Sequence, residues 1–172
     1  MRRVVGWTLL MALLGWTQAF AATATATIHG TTEGSPITGT VDASETPQGL
    51  ALTITVEHVS PGQHGLHIHE LGDCGDAGKA AGGHYNPDST KHGYLPKDGF
   101  TGAHAGDLGN IEVRADGTGT LSLTVPGLTV ADGLHAIAGH AVILHEKADD
   151  FGQPTGNAGG RIGCGILEAS AP

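Results

Sequence analysis

Apolar and polar residues take turns in run after run of this chain. Thr23 to His29 (TATATIH), Ile37 to Val41 and Leu50 to Val59 (LALTITVEHV) repeat at two residues. That is the period at which a strand turns one face to a core and the other to water. Gly65 to Glu70 follows, then Ile111 to Arg114 and Thr120 to Val125 around the turn Ala115-Asp116-Gly117, then Ala141 to His145 and Arg161 to Leu167. No segment sustains a helical period. The 29 glycines, with Pro, Asp and Asn, punctuate the runs. About eight short antiparallel strands spaced this way predict an all-β sandwich or flattened barrel.

The first residues stand outside that pattern. Arg2 and Arg3 precede an apolar run from Val4 to Trp16, and Ala19-Phe20-Ala21 has the small-x-small form of a cleavage site. This is the layout of a secretory signal peptide over residues 1–21, too short for a comfortable membrane span. It leaves residues 22–172 as one domain, with no repeat or linker to divide it. Both Trp and both Met lie in the leader, so the core must come from Val, Ile, Leu and Ala. The net charge of −9, which loss of Arg2 and Arg3 would deepen, argues against nucleic-acid and anionic-membrane partners. Export also makes Cys74 and Cys164 a lone pair in an oxidising compartment, so one long-range disulfide is the default. A reactive thiol pair is the alternative, but it lacks the CxxC spacing.

Eleven histidines in a chain with eight Lys and Arg are a strong bias. In GLHIHE, Leu66 and Ile68 should enter the core, which turns His67 and His69 together onto the other face. In AVILHE, Val142 and Leu144 take the apolar positions and His145 the opposite face, so a third imidazole can join the first two. Leu71 to Asn110 has almost no strand character, and loops this long are usually functional or disordered. It carries Cys74, His84, His92, His104 and Asp107, which favours a loop ordered by a disulfide and a metal. Three imidazoles and a carboxylate suit tetrahedral Zn²⁺, and three or four imidazoles with an open position suit copper. Spacing alone does not assign the ions.

GLHIHELGD, AGGHYNP, KHG, GAHAGDLGN, HEKADD and GNAGGRIGCG occur in an order that closely resembles the copper/zinc superoxide dismutase family, from about Ala51 to Leu167. The resemblance implies an eight-stranded Greek-key β-barrel of immunoglobulin-like type. It implies copper on His67, His69, His84 and His145, and zinc on His84, His92, His104 and Asp107, with His84 as the bridge. Arg161 matches the arginine that receives the anionic substrate, with Lys147 a further cation for that role. Asp149 matches the carboxylate linking the two ligand sets, His64 and Gly65 match positions that buttress the copper strand, and Cys74–Cys164 matches the intrachain disulfide. The implied partner is superoxide, disproportionated to O₂ and H₂O₂ as His84 carries a proton, and a homodimer stays open. His29, His58, His135 and His140 match no ligand position and read as strand-end or surface residues.

The chain also departs from the family's eukaryotic cytosolic members. The segment from His145 to Arg161 is shorter and lacks their charged guiding residues. His92 to His104 is longer, with Tyr94-Leu95-Pro96 inserted, and His69 to Cys74 is short. With the leader, these features point to a bacterial-type exported, periplasmic enzyme. The rival reading is a non-enzymatic metal-delivery or storage module on the same fold. Relatives of that kind usually lack copper ligands or the arginine, whereas here the set is complete. A copper-only enzyme is disfavoured by the full zinc set, and an adhesion-type sandwich leaves the histidines unexplained.

Overall fold

The computed structural model describes residues 21–170; the leader expected over residues 1–21 therefore lies outside the described residues but for Ala21. Nine strands form one antiparallel sheet: β1 (Thr23–Gly30), β2 (Thr38–Thr46), β3 (Gly49–Glu57), β4 (Gly62–His69), β5 (Asp107–Val113), β6 (Gly119–Val125), β7 (Ala141–His145), β8 (Arg161–Ile166) and β9 (Glu168–Ala169). Their order is β2-β3-β6-β5-β4-β7-β8-β1-β9, and β1 also pairs with β2, so the first eight strands close on themselves. Among the first eight strands the chain leaves its neighbours twice, from β3 across to β4 and from β6 across to β7, which gives Greek-key connectivity. Closure removes the free edges that an open sheet would expose.

The two-residue period explains the interior. Ile28, Leu50, Leu52, Ile54, Leu66, Ile68 and Leu144 point inward and are essentially inaccessible to water. They form one continuous core with Leu108, Ile111 and Leu167. A second, small cluster of Ala81, Ala141, Ile143 and Cys164 lies apart from it. Cys74 packs there and is bonded to Cys164, with Cα atoms 5.8 Å apart. The disulfide thus staples the long loop onto β8.

Between β4 and β5 the chain runs through two short helical turns, Lys79–Ala81 and Leu95–Asp98. The strand after this loop begins at Asp107, earlier than alternation alone indicates. Close main-chain contact draws it in: Ile68 N–H donates to Gly106 O, Gly106 N–H to Tyr85 O, and Tyr85 N–H to Ile68 O, each at 2.9 Å. Any side chain on Gly106 would collide with the carbonyl of Ile68. Among the described residues no helix is long and apolar enough to cross a membrane.

Candidate metal centre

Strand pairing decides which residues meet. His67 stands opposite Asp107 across a register shift between β4 and β5. His69 forms an isolated bridge with His84. His145 stands opposite Arg161 across a second shift, between β7 and β8. Each pairing joins a ligand candidate on a strand to a partner distant in sequence. The face of β4 that carries His67 and His69 is not open to solvent, because the loops fold over it and both rings are fully buried.

Among the described residues three groups result, each with ligand atoms within 4.8 Å of one another: a first cluster of His67, His69, His84 and His145, a second of His84, His92, His104 and Asp107, and His67, His92 and Asp149, which link the two. His84 belongs to both, and its ring stacks on His67 at a centroid distance of 4.0 Å. In the first cluster each strand histidine is pinned through one nitrogen. His67 Nε2–H donates to Asp149 Oδ2 at 2.8 Å, His69 Nδ1–H to Gly82 O at 3.1 Å, and His145 Nδ1–H to Gly159 O at 3.3 Å. Their other nitrogens, His67 Nδ1, His69 Nε2 and His145 Nε2, are buried without a hydrogen-bond partner. An orphaned buried polar atom costs about 1–3 kcal/mol, so three converging orphans fit the donor set of an ion better than a packed core.

The second cluster is organised by one carboxylate. Asp107 Oδ1 lies 2.8 Å from His84 Nδ1 and 3.1 Å from His104 Nδ1, and Oδ2 accepts the main-chain N–H of Gly93 and of His104 at 2.9 Å each. His92 Nδ1 lies 2.9 Å from Asp107 Oδ2, yet it too has no hydrogen-bond partner. Asp149 ties the clusters together, with Oδ2 on His67 and Oδ1 3.0 Å from His92 Nε2. Such partners fix ring orientation and raise ligand basicity.

Electrostatics prepares the first cluster to bind a cation. Burial, reinforced by neighbouring imidazoles, lowers His69 to about 2, His145 to about 3 and His84 to about 4, so their lone pairs are free at neutral pH. Burial alone would also lower His92, but the carboxylates of Asp107 and Asp149 overcome it and raise the ring to about 9. Burial would raise Asp107 and Asp149, but hydrogen bonds from the surrounding histidines hold both well below the usual carboxylate range. Both donor sets fit metal ions, the first all-imidazole and the second three imidazoles with a carboxylate.

A cleft of about 200 Å³ opens on the first cluster, lined by His69, His84, His145, Thr155, Gly159 and Arg161 among others. The Arg161 guanidinium is held by the Gly78 and Gly82 carbonyls at 2.6 Å each, both on the loop that Cys74 begins. A Cβ on Gly159 would stand 3.3 Å from the stem of Lys147, which therefore passes close to this cleft-lining glycine. His64 buttresses the site, with Nδ1–H donating to His145 O at 2.8 Å and Nε2 near Ser60. A side chain on Gly65 would stand 2.9 Å from Ala158 Cβ, so only glycine lets the strand approach the loop there. A wider groove of about 370 Å³ along β1 and β8 touches neither cluster.

Of the remaining histidines, His29 and His58 are exposed. His135 stacks on Phe100 and bonds Asp88 at 2.7 Å. His140 is more than a surface residue: it is half-buried, bonds His69 O at 2.9 Å and lies over Tyr85. Two further residues escaped the sequence reading. Asn110 grips the backbone of Asp149, its Nδ2–H donating to Asp149 O at 2.9 Å and its Oδ1 accepting Asp149 N–H at 2.7 Å. Gln153 does the same for His92. Asn110 lies within the GAHAGDLGN motif, but no sequence signal gives its contact, and Gln153 has none.

An antiparallel Greek-key barrel with two adjoining ligand clusters that share a histidine defines a β-barrel metalloprotein. The sequence profile of copper/zinc superoxide dismutase (SODC) matches residues 37–167, and the chain belongs to that family, whose cofactors are copper and zinc. It is 41% identical over 134 residues to the extracellular superoxide dismutase [Cu-Zn] of Caenorhabditis elegans, covering 74% of this chain and 59% of the nematode protein. It is 42% identical over 132 residues to superoxide dismutase [Cu-Zn] 2 of Brassica juncea, covering 73% of this chain and 84% of the plant protein. The chain thus spans less than two thirds of the nematode relative's length. Its fold is similar to the crystal structure of the clock protein EA4, with a TM-score of 0.77 and 32% identity over 90% of this chain and 99% of that one.

Proposed function

We propose that the protein disproportionates superoxide to O₂ and H₂O₂ at the first cluster, with the second as its structural support. The observation that carries this reading is the shared position of His84 beside a cleft that also presents Arg161. Copper would be held by His67, His69, His84 and His145, through the nitrogens left without a hydrogen-bond partner on the three strand histidines, and would supply one-electron redox chemistry. Zinc suits His84, His92, His104 and Asp107, a donor set without redox demand.

The chain's own groups do the rest. Peroxide formation consumes two protons, and His84, which lines the cleft with Nδ1 engaged beside Asp107, is placed to pass one through its other nitrogen whenever copper does not hold that atom. Arg161, fixed by two carbonyls, draws and orients the anion. Its local field outweighs the negative net charge, because a cleft focuses field lines. Asp149 keeps the His67 and His92 rings in line. The leader-like residues 1–21, the disulfide and the loop lengths support an exported, periplasmic protein.

Metal analysis with a superoxide-decay assay tests the reading. Copper and zinc in equal amounts with fast decay are expected, and zinc alone with no activity after copper loading refutes it. Arg161→Ala should slow decay about tenfold or more at low ionic strength while metal content stays normal. An unchanged rate removes Arg161 from substrate attraction.

A further inference from the structure

The loop between β7 and β8 is short, yet it does more than wall the cleft. Asp149, near its start, reaches both metal clusters through the Nε2 atoms of His67 and His92. Four residues later Gln153 reaches the same His92 from the main-chain side. Its Nε2–H donates to His92 O at 2.8 Å, and its Oε1 accepts His92 N–H at 3.2 Å. The orientation of the carboxamide is forced, since only oxygen can face an N–H and only the NH₂ can face a carbonyl. Gln153 therefore acts toward His92 as a neighbouring strand would.

Two-point contact to a backbone fixes rotation as well as distance. His92 is then held at its ring by Asp149 and at its main chain by Gln153, which leaves Nδ1 directed toward Asp107 Oδ2 at 2.9 Å. The clamp adds a main-chain tie between two segments that otherwise meet through side chains, Asp149 on the His92 ring and Phe151 stacked over it. Within the loop, Gly156 N–H donates to Gly152 O at 2.7 Å, and Asp150 N–H donates to Gly156 O at 2.9 Å. Gln153 sits inside that turn, and Thr155, Asn157, Ala158 and Gly159, in and just after it, line the cleft beside His145 and Arg161.

We infer that Gln153 is a positioning residue for the second metal cluster, holding the backbone from which His92 projects. This rests on the assignment of zinc to His84, His92, His104 and Asp107. The residue touches neither metal-binding atoms nor substrate; it sets the backbone from which one ligand projects. Supporting residues of this kind commonly change metal affinity by about 10- to 100-fold when removed.

The test uses Gln153→Ala and Gln153→Met, the latter keeping side-chain length without either hydrogen bond. Zinc affinity is measured by chelator competition, and Co²⁺ in the second cluster reports ligand geometry by its visible spectrum. Both variants should lose zinc affinity by about tenfold and shift the Co²⁺ spectrum. Wild-type affinity and spectrum in Gln153→Met would show that Gln153 only fills space, and would overturn the inference while leaving the zinc assignment intact. A wild-type protein that takes up no zinc at His92 and His104 would overturn both.

Discussion

Removing the staple between Cys74 and Cys164 should damage stability and the substrate cleft by separable routes. The bridge closes a loop of 90 residues, and chain entropy alone puts the stabilisation from such a closure at about 4 to 5 kcal/mol at 25 °C. With a urea slope near 3 kcal/mol per M, Cys74→Ala/Cys164→Ala should lower the unfolding midpoint of the metal-free protein by about 1.5 M. The second route is local. Gly78 and Gly82, whose carbonyls hold the Arg161 guanidinium, lie on the segment that starts at Cys74. Without the bridge the start of that segment is released from β8, which loosens Gly78 as an acceptor for Arg161 while Gly82 stays tied to His69. Superoxide decay should therefore slow even under conditions where the variant is fully folded and loaded with copper and zinc. Urea titration followed by circular dichroism gives the first quantity, and decay rates at matched metal content give the second. A midpoint shift below about 0.3 M would refute the loop-entropy argument. An unchanged decay rate in the folded, metallated variant would refute the coupling to Arg161.

Two further outcomes follow from the site. The metal-free protein should be most stable near pH 6.5. His69, His145 and His84 have folded values of about 2, 3 and 4, below an unfolded value near 6.5, so the unfolded chain takes up protons first and stability falls on acidification. Three such sites set a ceiling of about 4 kcal/mol per pH unit between pH 6.5 and 4. His92, raised to about 9, contributes stability that is full below pH 6.5 and is lost as pH climbs to 9, a limb shallower by the ratio of one proton to three. Denaturation of metal-free protein across pH 5 to 9 checks this, and a flat profile contradicts it. Asn110→Ala should cost about 1–3 kcal/mol by leaving the Asp149 backbone unpaired, and should shift the Cu²⁺ resonance spectrum because Asp149 no longer aligns His67. An unaltered spectrum would confine Asn110 to stability.

The strands that the sequence announces most clearly are those with branched residues on one face. Ala141 to His145 and the hairpin around Asp116 stand where alternation puts them. β2 continues to Thr46, beyond the Ile37–Val41 run, because the small Ala43 fills an inward position that a hydrophobic pattern does not flag. β5 begins inside the supposed loop because Asp107 pairs with His67, a register that depends on the fold as a whole. The candidate ligands were legible because imidazoles are rare and their motifs compact. The structure brings each of them into one of the two clusters. Asn110 and Gln153 were not legible. Both act on backbone groups across long sequence separations, and a carboxamide in a polar loop looks the same whether it faces water or another segment's amide. His140 escaped for a similar reason, since its partner is the carbonyl of His69 rather than a side chain.

The barrel's seam has a consequence for how the protein is made. β8 lies between β7 and β1, so the first strand synthesised waits for nearly the last before that edge is covered. A chain folded only as far as His145 still presents two naked hydrogen-bonding edges, the kind that recruit other chains. Arg161 and Cys164 arrive on the strand that shuts the gap. Completion of the sheet, placement of Arg161 at the cleft and approach of Cys164 to Cys74 thus depend on one strand, and no chain folded only up to His145 can assemble that cleft.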